Sequence, residues 1–173
     1  AGHGRYVLDA LESAAGKAPV EVLLRDYSEI NVAAGRASIA ARQLQARGIH
    51  ARFETGDAFD EAGLAALTPQ PTLAIVSGLY ELFPENAPLQ RSLAGLARAV
   101  PSGGFLIYTN QPWHPQLELI ARSLTSHRGG SRWVMRRRTQ EEMDELVVRA
   151  GFRKVDQLTD RWGIFTVSLA ERV

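Results

Sequence analysis

Short apolar runs alternate with helix-like stretches along almost the whole of this 173-residue chain. Val20–Arg25, Ala51–Thr55, Thr72–Val76 and Phe105–Thr109 have the length and the β-branched, Leu or aromatic content of buried strands. Residues 5–15, 30–47, 64–67, 88–99 and 116–126 read as the helices that separate or follow them. A capping-box pair, Thr139 and Glu142, opens a last helix that runs to Ala150. Such alternation predicts an α/β fold with a mostly parallel sheet covered on both faces. The final two runs, Phe152–Leu158 and Gly163–Ala170, are separated only by Thr159-Asp160-Arg161-Trp162. A parallel crossover needs about a dozen residues, so this pair is expected to be an antiparallel hairpin. Arg132–Arg138 is also strand-like around Trp133-Val134-Met135.

The chain starts with Ala1-Gly2-His3-Gly4, which reads as the end of a turn between a strand and a helix. Two glycines one residue apart bend the backbone sharply and let a ligand approach the main chain. The helix that follows points its free N–H groups and positive dipole end at that ligand. A turn of this type should follow a buried strand. The expectation is therefore that more chain lies upstream of Ala1.

Composition removes several classes of function. The net charge of +1 offers no electrostatic case for nucleic acid or an anionic membrane as the main partner. The absence of cysteine rules out disulfides, a thiolate nucleophile and thiolate metal sites, and agrees with a cytoplasmic location. No apolar run approaches the roughly 20 residues of a membrane span. His3, His50, His114 and His127 show no metal-ligand spacing, so no metal is expected. There is no repeat and no dividing linker, and the chain reads as one domain over 1–173.

Ligands of open α/β sheets sit beyond the carboxyl ends of the strands. Asp26 ends the first apolar run, 22 residues after Gly4, where an acid suits the two hydroxyls of a ribose. Capping of the next helix by Asp26 or Ser28 is the competing reading. Gly56-Asp57-Ala58 follows the second run, and Asp57 can accept from an adenine amino group beside the Ala58 N–H. An ordinary turn aspartate is the alternative there. Ser77-Gly78-Leu79-Tyr80-Glu81 follows the third run, and Asn110-Gln111-Pro112-Trp113-His114-Pro115 the fourth. Arg136-Arg137-Arg138 can meet an acidic substrate, or be solvated or paired with nearby glutamates.

Taken together, these motifs resemble the class I S-adenosylmethionine-dependent methyltransferases over essentially the whole chain. Gly2-His3-Gly4 is similar to the end of that class's first motif, Asp26 to its ribose-binding acid and Gly56-Asp57-Ala58 to its adenine turn. Ser77–Glu81, the Pro101-Ser102-Gly103-Gly104 turn and the Ala150-Gly151-Phe152 junction match further motifs in order. Leu24-Arg25-Asp26-Tyr27-Ser28 and Thr109–Pro115 most resemble methyltransferase domains that follow an α/β-hydrolase domain in bacterial fusion proteins.

The resemblance implies a Rossmann-like sandwich whose first, central strand is missing from this chain, and an N-terminally incomplete domain. It implies S-adenosylmethionine as cofactor, with Gly2, Gly4, Asp26, Tyr27, Gly56, Asp57, Ala58, Ser77, Gly78 and Tyr80 toward it. Tyr80, Asn110, Gln111 and Trp113 are implied for a small or lipid-like acceptor, with His114 and Glu81 as candidate bases. His114 has the ordinary pKa better suited to neutral pH. Asn110-Gln111-Pro112-Trp113 only partly follows the Asn-Pro-Pro-aromatic motif of amino-group methyltransferases and lies after a different strand, so that activity is not expected. Two rivals stand. One is a nicotinamide-dependent oxidoreductase, disfavoured because Tyr6-Val7 replaces the third glycine of the dinucleotide fingerprint. The other is a non-catalytic module that binds the cofactor or a partner.

Overall fold

The computed structural model describes residues 2–14, 19–126 and 130–173. The chain forms two compact units, residues 1–58 and 59–173. The helix end expected at residues 15–17 lies outside the described residues.

The first unit is a parallel strand pair with two helices. Helix α1 (Arg5–Ala14) precedes strand β1 (Val20–Asp26). Helix α2 (Glu29–Arg42) starts at Ser28, whose hydroxyl accepts the Asn31 N–H, and Glu29 in the first turn suits the helix dipole. The helix expected over 30–47 breaks at Gln43, which takes a left-handed φ of 49°. A 3-10 turn (Leu44–Arg47) follows, and Gly48 ends it at φ 74°. Strand β2 (Ile49–Thr55) pairs with β1 in register from Val20↔Ile49 to Asp26↔Thr55. Leu8, Leu24, Val32, Leu44, Ile49 and Phe53 form the core. Gly35 lets α2 sit against β2, because a Cβ there would stand 2.0 Å from the Phe53 ring. Arg42 Nη1 bridges Asp9 and Glu12, each at 2.7 Å, and ties α2 to α1.

The second unit begins with helix α3 (Glu61–Ala65), capped by Asp60, and strand β3 (Leu73–Val76). A single 3-10 turn (Tyr80–Leu82) leads to helix α4 (Asn86–Ala99) and strand β4 (Phe105–Asn110). Helices α5 (Leu117–Ser123) and α6 (Gln140–Arg149) and strands β5 (Phe152–Thr159) and β6 (Thr166–Arg172) complete it. The strand order is β3-β4-β6-β5, with β3 and β4 parallel and both β6 pairings antiparallel. The C-terminal hairpin is thus as the short connection required. Leu89, Leu93, Leu106, Tyr108, Met143 and Phe152 lie in the core on which the helices pack. Thr139 caps α6 through the Glu142 N–H at 3.1 Å, the expected capping pair. Tyr108 donates to Asp144 at 2.7 Å and Lys154 pairs with Asp144 at 2.5 Å, which locks α6 to the sheet.

The architecture is the expected α/β fold with parallel and antiparallel strands, but two expectations change in detail. As the expected lack of the central strand implies, no strand among the described residues pairs with both β1 and β3, and the strands form two sheets. Helix α5 is shorter than residues 116–126 and buries none of its residues fully, so little packing holds its ends. Arg132–Arg138 forms no strand beyond one isolated bridge, Thr125↔Arg132. Arg136 and Arg138 of this segment turn instead toward the loop after β3.

Candidate active site

Each unit presents its candidate groups at the carboxyl ends of its strands. In the first unit Gly2 and Gly4 have φ of 54° and 70°, the left-handed backbone that the turn reading required. A Cβ on Gly4 would meet Leu24 Cδ1 at 2.6 Å, whereas nothing lies within 4 Å of one built on Gly2. The turn is therefore packed at Gly4 and open at Gly2. Asp26 binds it from below: Oδ2 accepts the Gly2 N–H at 2.8 Å. Its Oδ1 accepts the Ser28 N–H at 2.9 Å and Asn31 Nδ2 at 3.0 Å. Of the two residues considered for the cap of α2, Ser28 performs it, while Asp26 ties Ser28 and the Asn31 side chain to the glycine turn. Burial by itself would raise the Asp26 pKa. Hydrogen bonds from the Ser28 N–H and the Asn31 amide are among the interactions that outweigh it and hold the carboxyl at about 2. Gly56 is tied to the same strand end by its N–H to the Asp26 carbonyl, at 3.0 Å. Tyr27 and Asp57 are exposed and Ala58 is half-buried.

In the second unit Ser77 and Gly78 are exposed, and Gly78 takes a φ of 65°. The Gly78 N–H donates to Thr109 Oγ1 at 2.8 Å, which joins the ends of β3 and β4. Tyr80 departs from expectation. Its ring is in the core and its hydroxyl shares a 2.8 Å hydrogen bond with Ser92 on α4, so it does not wall a cleft. Burial pushes that phenol well above its ordinary pKa.

Glu81 is only 4% exposed. Its Oε1 accepts Gln111 Nε2 at 3.2 Å, and its Oε2 is buried with no hydrogen-bond partner. Asn110, also buried, donates to the Arg138 carbonyl at 3.1 Å. Trp113 is half-exposed, and His114 Nδ1 accepts the Gln116 N–H at 3.1 Å. A neutral imidazole that accepts at Nδ1 carries its proton on Nε2 and donates there. His114 in this pose is therefore a donor.

Desolvation pushes the Glu81 carboxyl above the ordinary carboxylate range. Its own backbone N–H, the Gln111 amide and the Arg138 charge pull it part of the way back. A raised folded-state pKa means that the folded protein keeps a proton the unfolded chain has lost. Stability should then fall as pH rises from the ordinary glutamate value of 4.5 through the folded value. Glu81→Gln, which cannot titrate, is expected to gain stability on the parent across that window and to hold the gain at higher pH. Urea unfolding of both proteins from about pH 4 to about pH 8 measures this. A constant difference would show that Glu81 does not titrate abnormally.

The structure also brings forward a residue that the sequence reading left in a charge run. Arg138 is 1% exposed, among the largest fully buried side chains. Its guanidinium donates to the carbonyls of Tyr80, Phe83 and Glu85 at 3.0, 2.8 and 3.0 Å, and its Nε to Asn86 Oδ1 at 2.8 Å. Arg136 adds Pro84 O at 2.9 Å and an ion pair with Glu142 at 2.5 Å, while Arg137 is exposed. Pairing, and not an acidic substrate, accounts for Arg136 and Arg138. The inward–outward–inward sequence of 136–138 is the signal that they clamp something.

Residues 1–172 of the 173 match the sequence family described as "Putative methyltransferase". The chain belongs to that family. A relative in Escherichia coli K12, "Uncharacterized protein YnbC", is 64% identical over 172 residues, 99% of this chain. The chain spans only 28% of the length of that relative. Among solved structures, an S-adenosylmethionine-dependent methyltransferase of Methanosarcina mazei superposes with a TM-score of 0.71 at 16% identity. The match covers 99% of this chain and 89% of that one. The O-methyltransferase NcsB1 of neocarzinostatin biosynthesis was solved with S-adenosyl-L-homocysteine and 1,4-dihydroxy-2-naphthoic acid. It superposes with a TM-score of 0.70 at 18% identity, over 99% of this chain and 47% of that one. At such identities the superpositions show a shared fold, that of the class I methyltransferases.

Proposed function

We propose that the chain is an S-adenosylmethionine-dependent methyltransferase that acts on a small-molecule or lipid-like acceptor. The observation that carries this reading is the Asp26 carboxylate, held ionised beside a turn where nothing lies within 4 Å of a Cβ built on Gly2. It fits a ribose and the polar chain next to it. Gly2, Gly4 and Asp26, with Tyr27 and Gly56-Asp57-Ala58 at the neighbouring strand end, would hold the adenosine. By the same resemblance Ser77 and Gly78, exposed at the end of β3, are proposed for the methionine part. Bound S-adenosylmethionine supplies an activated methyl group, so the chain's residues mainly bind, orient and exclude water. Asn110 and Gln111 would hold the acceptor side through Arg138 and Glu81, and Trp113 offers an apolar surface to it.

Membership of a methyltransferase family and the folds of solved S-adenosylmethionine-dependent enzymes support this cofactor. For the longer protein, a hydrolase domain upstream and a further strand before Gly2 are part of the proposal. The greater length of YnbC leaves room for both. No described helix is long and apolar enough to cross a membrane.

The test is thermal unfolding with S-adenosylmethionine, S-adenosylhomocysteine or NAD, on this chain and on a version extended upstream. Ligand at about 100 times its dissociation constant adds roughly 2.7 kcal/mol, or several degrees in Tm. The adenosyl ligands are expected to shift the extended protein, and NAD is not. A shift with neither would leave the non-catalytic partner module as the better reading.

A further inference from the structure

We propose that helix α5 and the segment after it form a docking surface for a lipid bilayer with anionic headgroups, through Trp113, Leu119, Leu124, Arg132, Val134 and Arg137. The proposal does not depend on the methyltransferase reading.

The first observation is an uneven distribution of charge. From Gln111 to Arg138 the sequence holds six arginines and a single acid, Glu118. That stretch carries +5 and the rest of the chain −4, within a total of +1. The total hides the contrast, and it is local charge that sets the field at a surface. The structure divides the arginines. Arg136 and Arg138 turn inward onto the loop after β3, and Arg122 pairs with Glu118 at 2.6 Å. Arg132 and Arg137 are exposed, and no acid among the described residues pairs with either.

The second observation is the apolar surface of the same stretch. Trp113, Leu119, Leu124 and Val134 are 47–58% exposed, and α5 buries none of its residues. The chain folds back after the helix: Thr125 bridges Arg132, and the Trp133 N–H donates to the Leu124 carbonyl at 3.2 Å. Leu124 therefore stands beside Arg132 to Val134, with Leu119 a little over one turn back along α5. A helix of seven residues is too short to hold itself in water, so its order depends on what covers its apolar side chains.

Charge and apolar surface together select the occupant. Nucleic acid would match the arginines but leave the leucines and Val134 in water. A second copy of this surface would match the apolar groups but bring like charges together. An anionic bilayer takes both. The leucines and Val134 enter the acyl boundary, and Trp113 lies at headgroup level. The arginines hold lipid phosphates while their stems lie along apolar surface. The stretch begins at the carboxyl end of β4, so a lipid drawn to it stands next to that strand end.

Sedimentation with vesicles tests this on the version extended upstream, using phosphatidylcholine with and without phosphatidylglycerol. The protein is expected to bind the anionic vesicles at about 0.1 M salt and to leave them at about 1 M, where the Debye length is only about 3 Å. An arginine near such a surface changes partitioning about fivefold, so Arg132→Gln with Arg137→Gln should weaken binding roughly 25-fold. Leu119→Ser with Leu124→Ser should weaken it about tenfold. Arg91→Gln with Arg149→Gln, the same charge loss at exposed sites of α4 and α6, should change it less than about twofold. In the parent protein, acyl chains brominated near the headgroup should quench the Trp113 fluorescence, assigned by its loss in Trp113→Phe. The proposal is overturned by no binding to anionic vesicles, by equal losses from the two arginine pairs, or by an unquenched Trp113. Retention by single-stranded RNA without binding to vesicles would overturn it in favour of nucleic acid. A dimer that the leucine pair splits, again without vesicle binding, would overturn it in favour of a second copy.

Discussion

Replacing Arg138 by Ala is expected to lower the unfolding free energy by about 3–5 kcal/mol, a large part of what a domain usually has. The guanidinium is buried and serves several carbonyls of one short segment, Tyr80 to Glu85, together with Asn86. Its removal leaves those acceptors in a site where water has poor access, and each unsatisfied group costs about 1–3 kcal/mol. It also withdraws the charge that offsets Glu81. Arg138→Lys should recover less than half of the loss, because an ammonium has no planar fork to span several carbonyls at once. Arg137→Ala, one residue away and exposed, should change stability by less than about 0.5 kcal/mol. Chemical denaturation of the three variants measures the set. Similar values at 137 and 138 would mean that the clamp is incidental.

Asp26→Ala is expected to weaken S-adenosylhomocysteine binding by roughly 30–150-fold, the loss of about 2–3 kcal/mol of charge-assisted hydrogen bonding to a ribose. The same change also disturbs the turn, since Asp26 accepts from Gly2, Ser28 and Asn31. Asn31→Ala separates the two effects, because it removes one internal partner and leaves the carboxylate in place. Calorimetric affinities should fall far more for Asp26→Ala than for Asn31→Ala; equal losses would make Asp26 a structural residue only. The pH dependence runs opposite to that of Glu81. With its carboxyl held at about 2, below the ordinary 3.8, Asp26 contributes stability above the ordinary value. That contribution is lost as pH falls toward the folded value, so binding that depends on the ionised carboxylate should be level through neutral and mildly acid pH.

Much of the fold was legible in the residues. The strand-length runs that begin at Val20, Ala51, Thr72 and Phe105 and the capping pair Thr139–Glu142 depend on local chemistry, and each overlaps the strand or cap that forms. The glycine turn and Asp26 were legible for the same reason, since positive φ at Gly2 and Gly4 and the offset to the next strand end are properties of short segments. Helix α2 was read too long because alanine-rich sequence favours continuation, and nothing local announces the left-handed Gln43 that stops it.

The sequence by itself determined which elements form, that the last two strands are an antiparallel hairpin, and which residues stand at the strand ends. Those follow from periodicity, propensity and loop length, all local quantities. Only the tertiary structure decided what the side chains at those ends do. Tyr80 turns into the core toward Ser92, His114 is occupied by Gln116, Asn110 serves Arg138, and Glu81 keeps one oxygen unpaired. Arg138 reaches back 58 residues to the Tyr80 carbonyl. Such pairings depend on which distant groups share a desolvated space, and burial, by removing water as a competing partner, makes each of them decisive.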